Sequence, residues 1–319
     1  MVLFLKDFRS NMDSYFAVLP PVLTIFIYVL IGFILKRFKI VGEEGSTTLS
    51  KVVLYVSSPC FTIASYYKNF TVENLSSSIE YSLKGITLVF ILYVIAIFIS
   101  KLFTKDGYER KILQYVFTVP NYGYVAYPLI LAFFGEKMLF DFLMFCIFVT
   151  VFTSVEGYRL LTDQKRLEFK RLLVPFVIAI PIGMILGLSG LVLPTFMVDI
   201  LETLGNTMSP LAMILTGIVI GGFNLKEIFK GGKYYLVTLV KMFILPLLVL
   251  GICLLLNQSS TVTILAVMFA SMPGGMNTIV YPKSIGKNCE VGAKTVTLST
   301  IISLVSLPLF LWILQTFFV

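Results

Sequence analysis

The chain has 319 residues; 58% are hydrophobic and 13% charged, the mean hydropathy is +0.95 and the formal net charge is +8. Soluble domains run about 45–50% apolar and about 25% charged. A soluble enzyme, a nucleic-acid-binding domain and a secreted disulfide scaffold are therefore excluded, and the sequence reads as an all-α polytopic membrane protein with the lipid bilayer as its surroundings.

Nearly uncharged runs long enough to cross a bilayer, about 18 residues or more, recur along the whole chain. In order they are 15–35, 47–67, 82–103, 111–134, 138–161, 172–190, 199–222, 234–256, 261–284 and 291–318, which makes ten. Lys and Arg concentrate on the cytoplasmic side of such chains. Here the odd-numbered loops hold 19 of them, against 5 (Lys6, Arg9, Lys68, Lys84 and Lys137) in the even loops and termini. The count places the odd loops and Cys289 inside and both termini outside a plasma membrane. The positive charge then faces an anionic inner leaflet, and nucleic acid is not a partner.

The inventory narrows the chemistry. There is no histidine, so His triads, His metal sites and His proton relays are excluded. Cys60, Cys146, Cys253 and Cys289 are far apart and form no C-x-x-C pair. Gly231-Gly232-Lys233 is followed by Tyr234, which is not a phosphate-binding loop. Neither an enzyme nor a cofactor or metal is expected.

Two halves of the chain resemble one another. Ile31-Gly32-Phe33-Ile34-Leu35 matches Ile182-Gly183-Met184-Ile185-Leu186, and Ser58-Pro59 matches Ser209-Pro210, both at an offset of 151. Pro120 and Pro273 are 153 apart, and Pro128 and Pro282 are 154 apart. A duplicated unit of five spans must enter the membrane from opposite sides, the inverted repeat of secondary transporters. The expected organisation is residues 1–161, a cytoplasmic linker 162–171, and residues 172–319.

The fourth and ninth spans are interrupted. One holds Pro120-Asn121-Tyr122-Gly123, the other Pro273-Gly274-Gly275-Met276-Asn277. An interior proline removes a helical hydrogen bond, adjacent glycines ease unwinding, and both breaks fall near mid-membrane. Asn121 is suited to N-cap the second half of the fourth span. Two half-helix N-termini, each carrying roughly half a positive charge, can bind an anion without a basic side chain. The candidate substrate residues are Pro120, Asn121, Tyr122, Gly123, Pro273, Gly274, Gly275, Asn277 and Lys241. Lys241, about seven residues into the eighth span, is read either as a fixed cation, attracting the anionic substrate or replacing a coupling cation, or as a lysine snorkelling to the inner headgroups. Glu156 is read as interfacial. Gly183-x-x-x-Gly187 and Gly217-x-x-x-Gly221 are helix-packing faces.

Val119-Pro120-Asn121 with Tyr127-Pro128-Leu129, and Met272-Pro273-Gly274-Gly275 with the Thr295–Leu314 stretch, resemble the auxin efflux carrier family from end to end. That resemblance implies ten helices with crossing broken helices and carriage of a small organic anion, either auxin-like or a dicarboxylate such as malate. It also implies a dimer, a scaffold of spans one, two, six and seven, and an elevator-like transport domain; Asn121 matches a substrate-contacting asparagine. The long hydrophilic centre of many plant carriers is absent, and Gly274-Gly275-Met276-Asn277 departs from the plant pattern. The expected activity is secondary transport by alternating access, as uniport efflux, because few titratable groups are embedded. A sodium-coupled symporter of the bile-acid type and a non-transporting anion receptor are the alternatives.

Overall fold

The computed structural model describes residues 2–319, with side chains from Val18 onward; Lys6 and Arg9, counted above with the outer face, have side chains outside the described residues. The described chain is helical, and its one bridge of β type joins Pro120 to Gly274. The first half comprises α1 (Val2–Arg37), α2 (Glu43–Val52), α3 (Ser58–Asn69), α4 (Leu75–Phe103), α5 (Gly107–Thr118), α6 (Tyr127–Phe145), α7 (Ile147–Phe152) and α8 (Tyr158–Thr162). The second comprises α9 (Pro175–Leu188), α10 (Thr195–Asn206), α11 (Met208–Gly221), α12 (Leu225–Ile228), α13 (Gly232–Leu239), α14 (Leu245–Leu255), α15 (Ser260–Ser271), α16 (Asn277–Ser284) and α17 (Glu290–Phe318). Among the described residues five helical stretches are long and apolar enough to cross a membrane, or six if the stretch bent by 44° between Tyr122–Phe145 and Ile147–Thr162 is one span. This is an all-α membrane protein.

Several stretches continue through π-helical turns rather than stopping. Val53–Ser57 joins α2 to α3, Tyr122–Ala126 leads into α6, Thr153–Gly157 joins α7 to α8, and Val240–Ile244 joins α13 to α14. A π turn shifts one residue out of the helical register and is common at functional sites. Gly135, at φ 83°, divides α6 where the sequence places its fourth turn between spans.

Packing sorts the helices into two groups. α1 lies along α11, and α3 lies against α9 and α10. The others pack among themselves, α4 on α5 and α6, α15 on α14 and α17. Small residues make the first group tight. A Cβ on Gly32 would sit 1.9 Å from the carbonyl oxygen of Ile214, and one on Gly217 would sit 1.9 Å from that of Val29. Gly183 and Gly187 bring α9 close against Tyr66 of α3 and Phe70 at its end, where an added Cβ would sit 2.5–2.7 Å from the nearest atoms. In a bilayer, where lipid tails are as apolar as leucine, such backbone approach supplies the dispersion that holds helices together. Ser57 and Thr207 add a hydroxyl–hydroxyl bond of 2.8 Å between the π turn of the first half and the α10–α11 junction. The two groups meet along fewer surfaces, chiefly α1 on α17 and α11 on the π turn before α6.

Candidate substrate site at the crossing of two broken helices

The interruptions at Pro120 and Pro273 lie side by side. The Asn121 N–H donates to the Pro273 carbonyl at 2.8 Å, and Pro120 pairs antiparallel with Gly274. The reason is local: a proline cannot donate to the turn before it, and backbone groups freed in a membrane interior must find partners in protein. In a continuous helix the Gly274 N–H would bond the Ala270 carbonyl. At this break the Gly274 N–H instead donates to Ser299 Oγ of α17 at 2.9 Å, and the Ala270 carbonyl accepts from Lys241 Nζ at 2.8 Å. Two side chains thus satisfy both halves of one missing helical bond.

The predicted site residues do not all share one surface. Asn121 and Pro273 line a small void of about 10 Å³ between the breaks and α1, α11 and α17, completed by Thr216, Thr300 and Ser303. That volume holds about one water. Asn121 stands at the N-cap position, but its side chain accepts no capping hydrogen bond, which corrects the sequence expectation. With ψ near 60° the residue is held by its backbone bond to Pro273, and its amide is left for other partners. Asn277 Nδ2 donates to Tyr115 Oη at 3.0 Å, so that amide is engaged between the two broken spans. The Tyr122 hydroxyl is 3.1 Å from Thr150 Oγ1, and its ring lies beside Phe269. Gly123 has open space where a Cβ would be, whereas a Cβ on Gly275 would crowd the Val119 carbonyl at 3.2 Å. Lys241 is 1% exposed, so it does not snorkel, and it borders neither the void nor the larger cavity beyond it. Glu156 is bonded to Arg159 at 2.6 Å and to the Tyr93 hydroxyl at 2.8 Å.

Sequence reasoning missed Ser299, Thr300 and Ser303. A partial signal was present, since Ser299, Ser303 and Ser306, all buried, recur at helical spacing, though among the further hydroxyls of Thr295, Thr297 and Thr300.

A cavity of about 490 Å³ adjoins the void at Ile25. It lies between the two helix groups, bounded by α1 around Pro20–Tyr28, the α10–α11 junction, and Phe61, Tyr127, Leu131 and Leu139. The Phe61 and Tyr127 rings stack across the groups at 5.4 Å. Among the described residues no charged side chain borders it.

Beyond the far end of α1 the two groups are joined by charge. Glu43 accepts from Lys36 at 2.8 Å and from Lys283, after the second break, at 2.7 Å. The hydrogen bonds from Lys283 and Lys36 pull the Glu43 carboxyl from its usual 4.5 to about 2. A depressed carboxyl contributes stability that is present above its unfolded pKa and lost as pH falls through the folded one. This contact should therefore be constant from neutral pH down to about 4.5 and weaken only towards 2. Exposed pairs contribute roughly 0–1 kcal/mol, so Glu43→Gln should alter transport by a few-fold at most. An abolition of flux in that variant would show that the pair does more than bias a closed end.

Matching of the chain to known families agrees with this architecture. The family model described as membrane transport protein covers residues 17–167 and again 159–311. The chain belongs to that family, the auxin efflux carrier type. A protein of Methanothermobacter thermautotrophicus described as an uncharacterized transporter is 27% identical over 304 residues, covering 90% of this chain and 95% of that one. One of Methanocaldococcus jannaschii with a similar description is 26% identical over 309 residues, covering 92% and 97%.

Proposed function

We propose that this membrane transporter carries a small organic anion, favouring a monocarboxylate with an apolar body, by alternating access at the crossing of the two breaks. The observation that carries the reading is the antiparallel pairing of Pro120 with Gly274, which brings two half-helix N-termini together beside the Asn121 amide. The first N–H groups of a helix lack intrahelical partners, and they carry partial positive charge. A single carboxylate suits them. The adjoining cavity is lined, among the described residues, mainly by aromatic and aliphatic groups, with Thr24, Asn206 and Ser209 but no cation, and suits an apolar body better than the second carboxylate of a malate-like acid.

Ten membrane crossings in two inverted repeats fit the same picture. Gly32 meets the backbone of Ile214, and Gly183 meets that of Ile63. The two contacts are repeats of one another, since Gly32 and Gly183, and likewise Ile63 and Ile214, are related by the offset of 151 found in the sequence, as an approximate two-fold axis requires. The residues joined at the crossing, Pro120 and Asn121 with Pro273 and Gly274, are those nearest such an axis. The division into two helix groups with a cavity between them supports an elevator, with α1, α2, α3, α9, α10 and α11 as the static part. On the resemblance to the family, two copies would associate through that part. With the termini outside a plasma membrane, as the charge count favours, the cavity opens outward and the Glu43 contact closes the cytoplasmic end.

The test is flux of radiolabelled benzoate in proteoliposomes of the purified protein, with malate as the contrasting probe. A uniporter should carry benzoate without sodium and respond to an imposed potential, since about 2.3 kcal/mol acts per charge per 100 mV. Binding without flux would leave a receptor, flux that requires sodium would make the protein a symporter, and preference for malate would overturn the monocarboxylate reading.

A further inference from the structure

Four helix ends meet at the crossing. α5 and α15 bring their C-termini to it; the half-helices leading into α6 and α16 bring their N-termini. Each end carries roughly half an elementary charge, positive at an N-terminus and negative at a C-terminus. Two of each sign cancel. The face lined by the two N-termini still suits a carboxylate locally, but the net field over the whole crossing must be set by something else.

Lys241 is the buried group placed to do so. Its ammonium donates to the Ala270 carbonyl at 2.8 Å, in the last turn of α15, the negative end of that half-helix. Among the described residues no carboxylate lies within 4.0 Å of it, whereas ten other Lys or Arg contacts are paired with acids. The π turn Val240–Ile244 carries it. The first repeat has no such group: at the offset of 153 that relates Pro120 to Pro273, position 241 corresponds to Leu88, within the uninterrupted α4.

We infer that Lys241 is a positioning residue that fixes the α15 end and leaves the crossing with net positive field, and that its ammonium stands where a small monovalent cation would otherwise be held. It acts without touching the substrate, because it borders neither the void nor the cavity. What the field acts on rests on the anion-carrier reading above; the cation position itself does not.

The closing experiment separates the two. Lys241→Ala leaves space and an orphaned carbonyl; Lys241→Met fills the space with an apolar chain. Methylammonium chloride should raise the thermal midpoint of purified Lys241→Ala, relative to choline chloride at equal ionic strength. It should leave wild type and Lys241→Met unmoved. In proteoliposomes both variants should lose about ten-fold or more in apparent benzoate affinity, and methylammonium should recover part of it in Lys241→Ala alone. Stabilisation by methylammonium with no benzoate flux in wild type would retain the cation position and reject the anion carrier. Wild-type benzoate affinity in Lys241→Met would overturn the inference, and so would a folded Lys241→Ala that methylammonium does not stabilise. Should Lys241→Ala fail to fold in choline, folding of that variant in methylammonium supports the inference, and failure in both salts, with normal affinity in Lys241→Met, overturns it.

Discussion

Gly217→Ala is expected to cost the protein roughly 3 kcal/mol, at the upper end of what overpacking a tight interior does. The added methyl would meet the Val29 carbonyl oxygen at 1.9 Å and the Phe33 nitrogen at 2.7 Å. Both are backbone atoms of α1, so no side chain can turn aside, and the two helices must part by about 1.5 Å to restore ordinary contact. Parting them also disturbs the reciprocal seat of Gly32 on Ile214. The thermal midpoint of the purified protein should fall by about 5–10 °C. Gly251→Ala is the control. Its Cβ meets nothing within 4 Å, and alanine is the better helix former, so it should be neutral or slightly stabilising. Equal midpoints for Gly217→Ala and wild type would mean that α1 and α11 are not held at this distance.

The glycine seams were legible because sterics act locally. The spacing Gly217-x-x-x-Gly221 marks a packing face whichever helix lies opposite, and Gly183-x-x-x-Gly187 does the same for α9. The breaks were legible for a similar reason, since proline's missing N–H interrupts a helix in any context. What the sequence could not show is which partner satisfies each freed group. Asn121 has the right chemistry for a cap, but its backbone is drawn to Pro273, some 150 residues away, and the side chain is left without that role. Lys241 reads equally well as a snorkelling lysine or an embedded one, because the difference lies in the Ala270 carbonyl of another helix. Ser299 is one of many hydroxyls in α17 until the Gly274 N–H is placed beside it. Local rules thus locate an interruption, and long-range pairing decides what each residue at it does.

Asn121→Ala should separate those two levels experimentally. The bond from Asn121 to Pro273 is made by the main chain, so alanine retains it, and with no side-chain cap to lose the thermal midpoint should move little. The amide borders the void at the crossing, beside Thr216, Thr300 and Ser303, where it can donate to a carboxylate. Losing a hydrogen bond to a charged group costs roughly 1.5–3 kcal/mol, or about ten-fold or more in affinity. Benzoate should therefore show a raised half-saturation concentration in Asn121→Ala, with folding intact. Asn121→Asp preserves shape but exchanges a donor for an acceptor, and when ionised it places like charge against the anion. It should reduce benzoate affinity further than alanine does. If both variants bound benzoate as wild type does, the anion would not occupy the Asn121 side of the crossing. If alanine lowered stability as much as affinity, the side chain would be holding the break rather than the substrate.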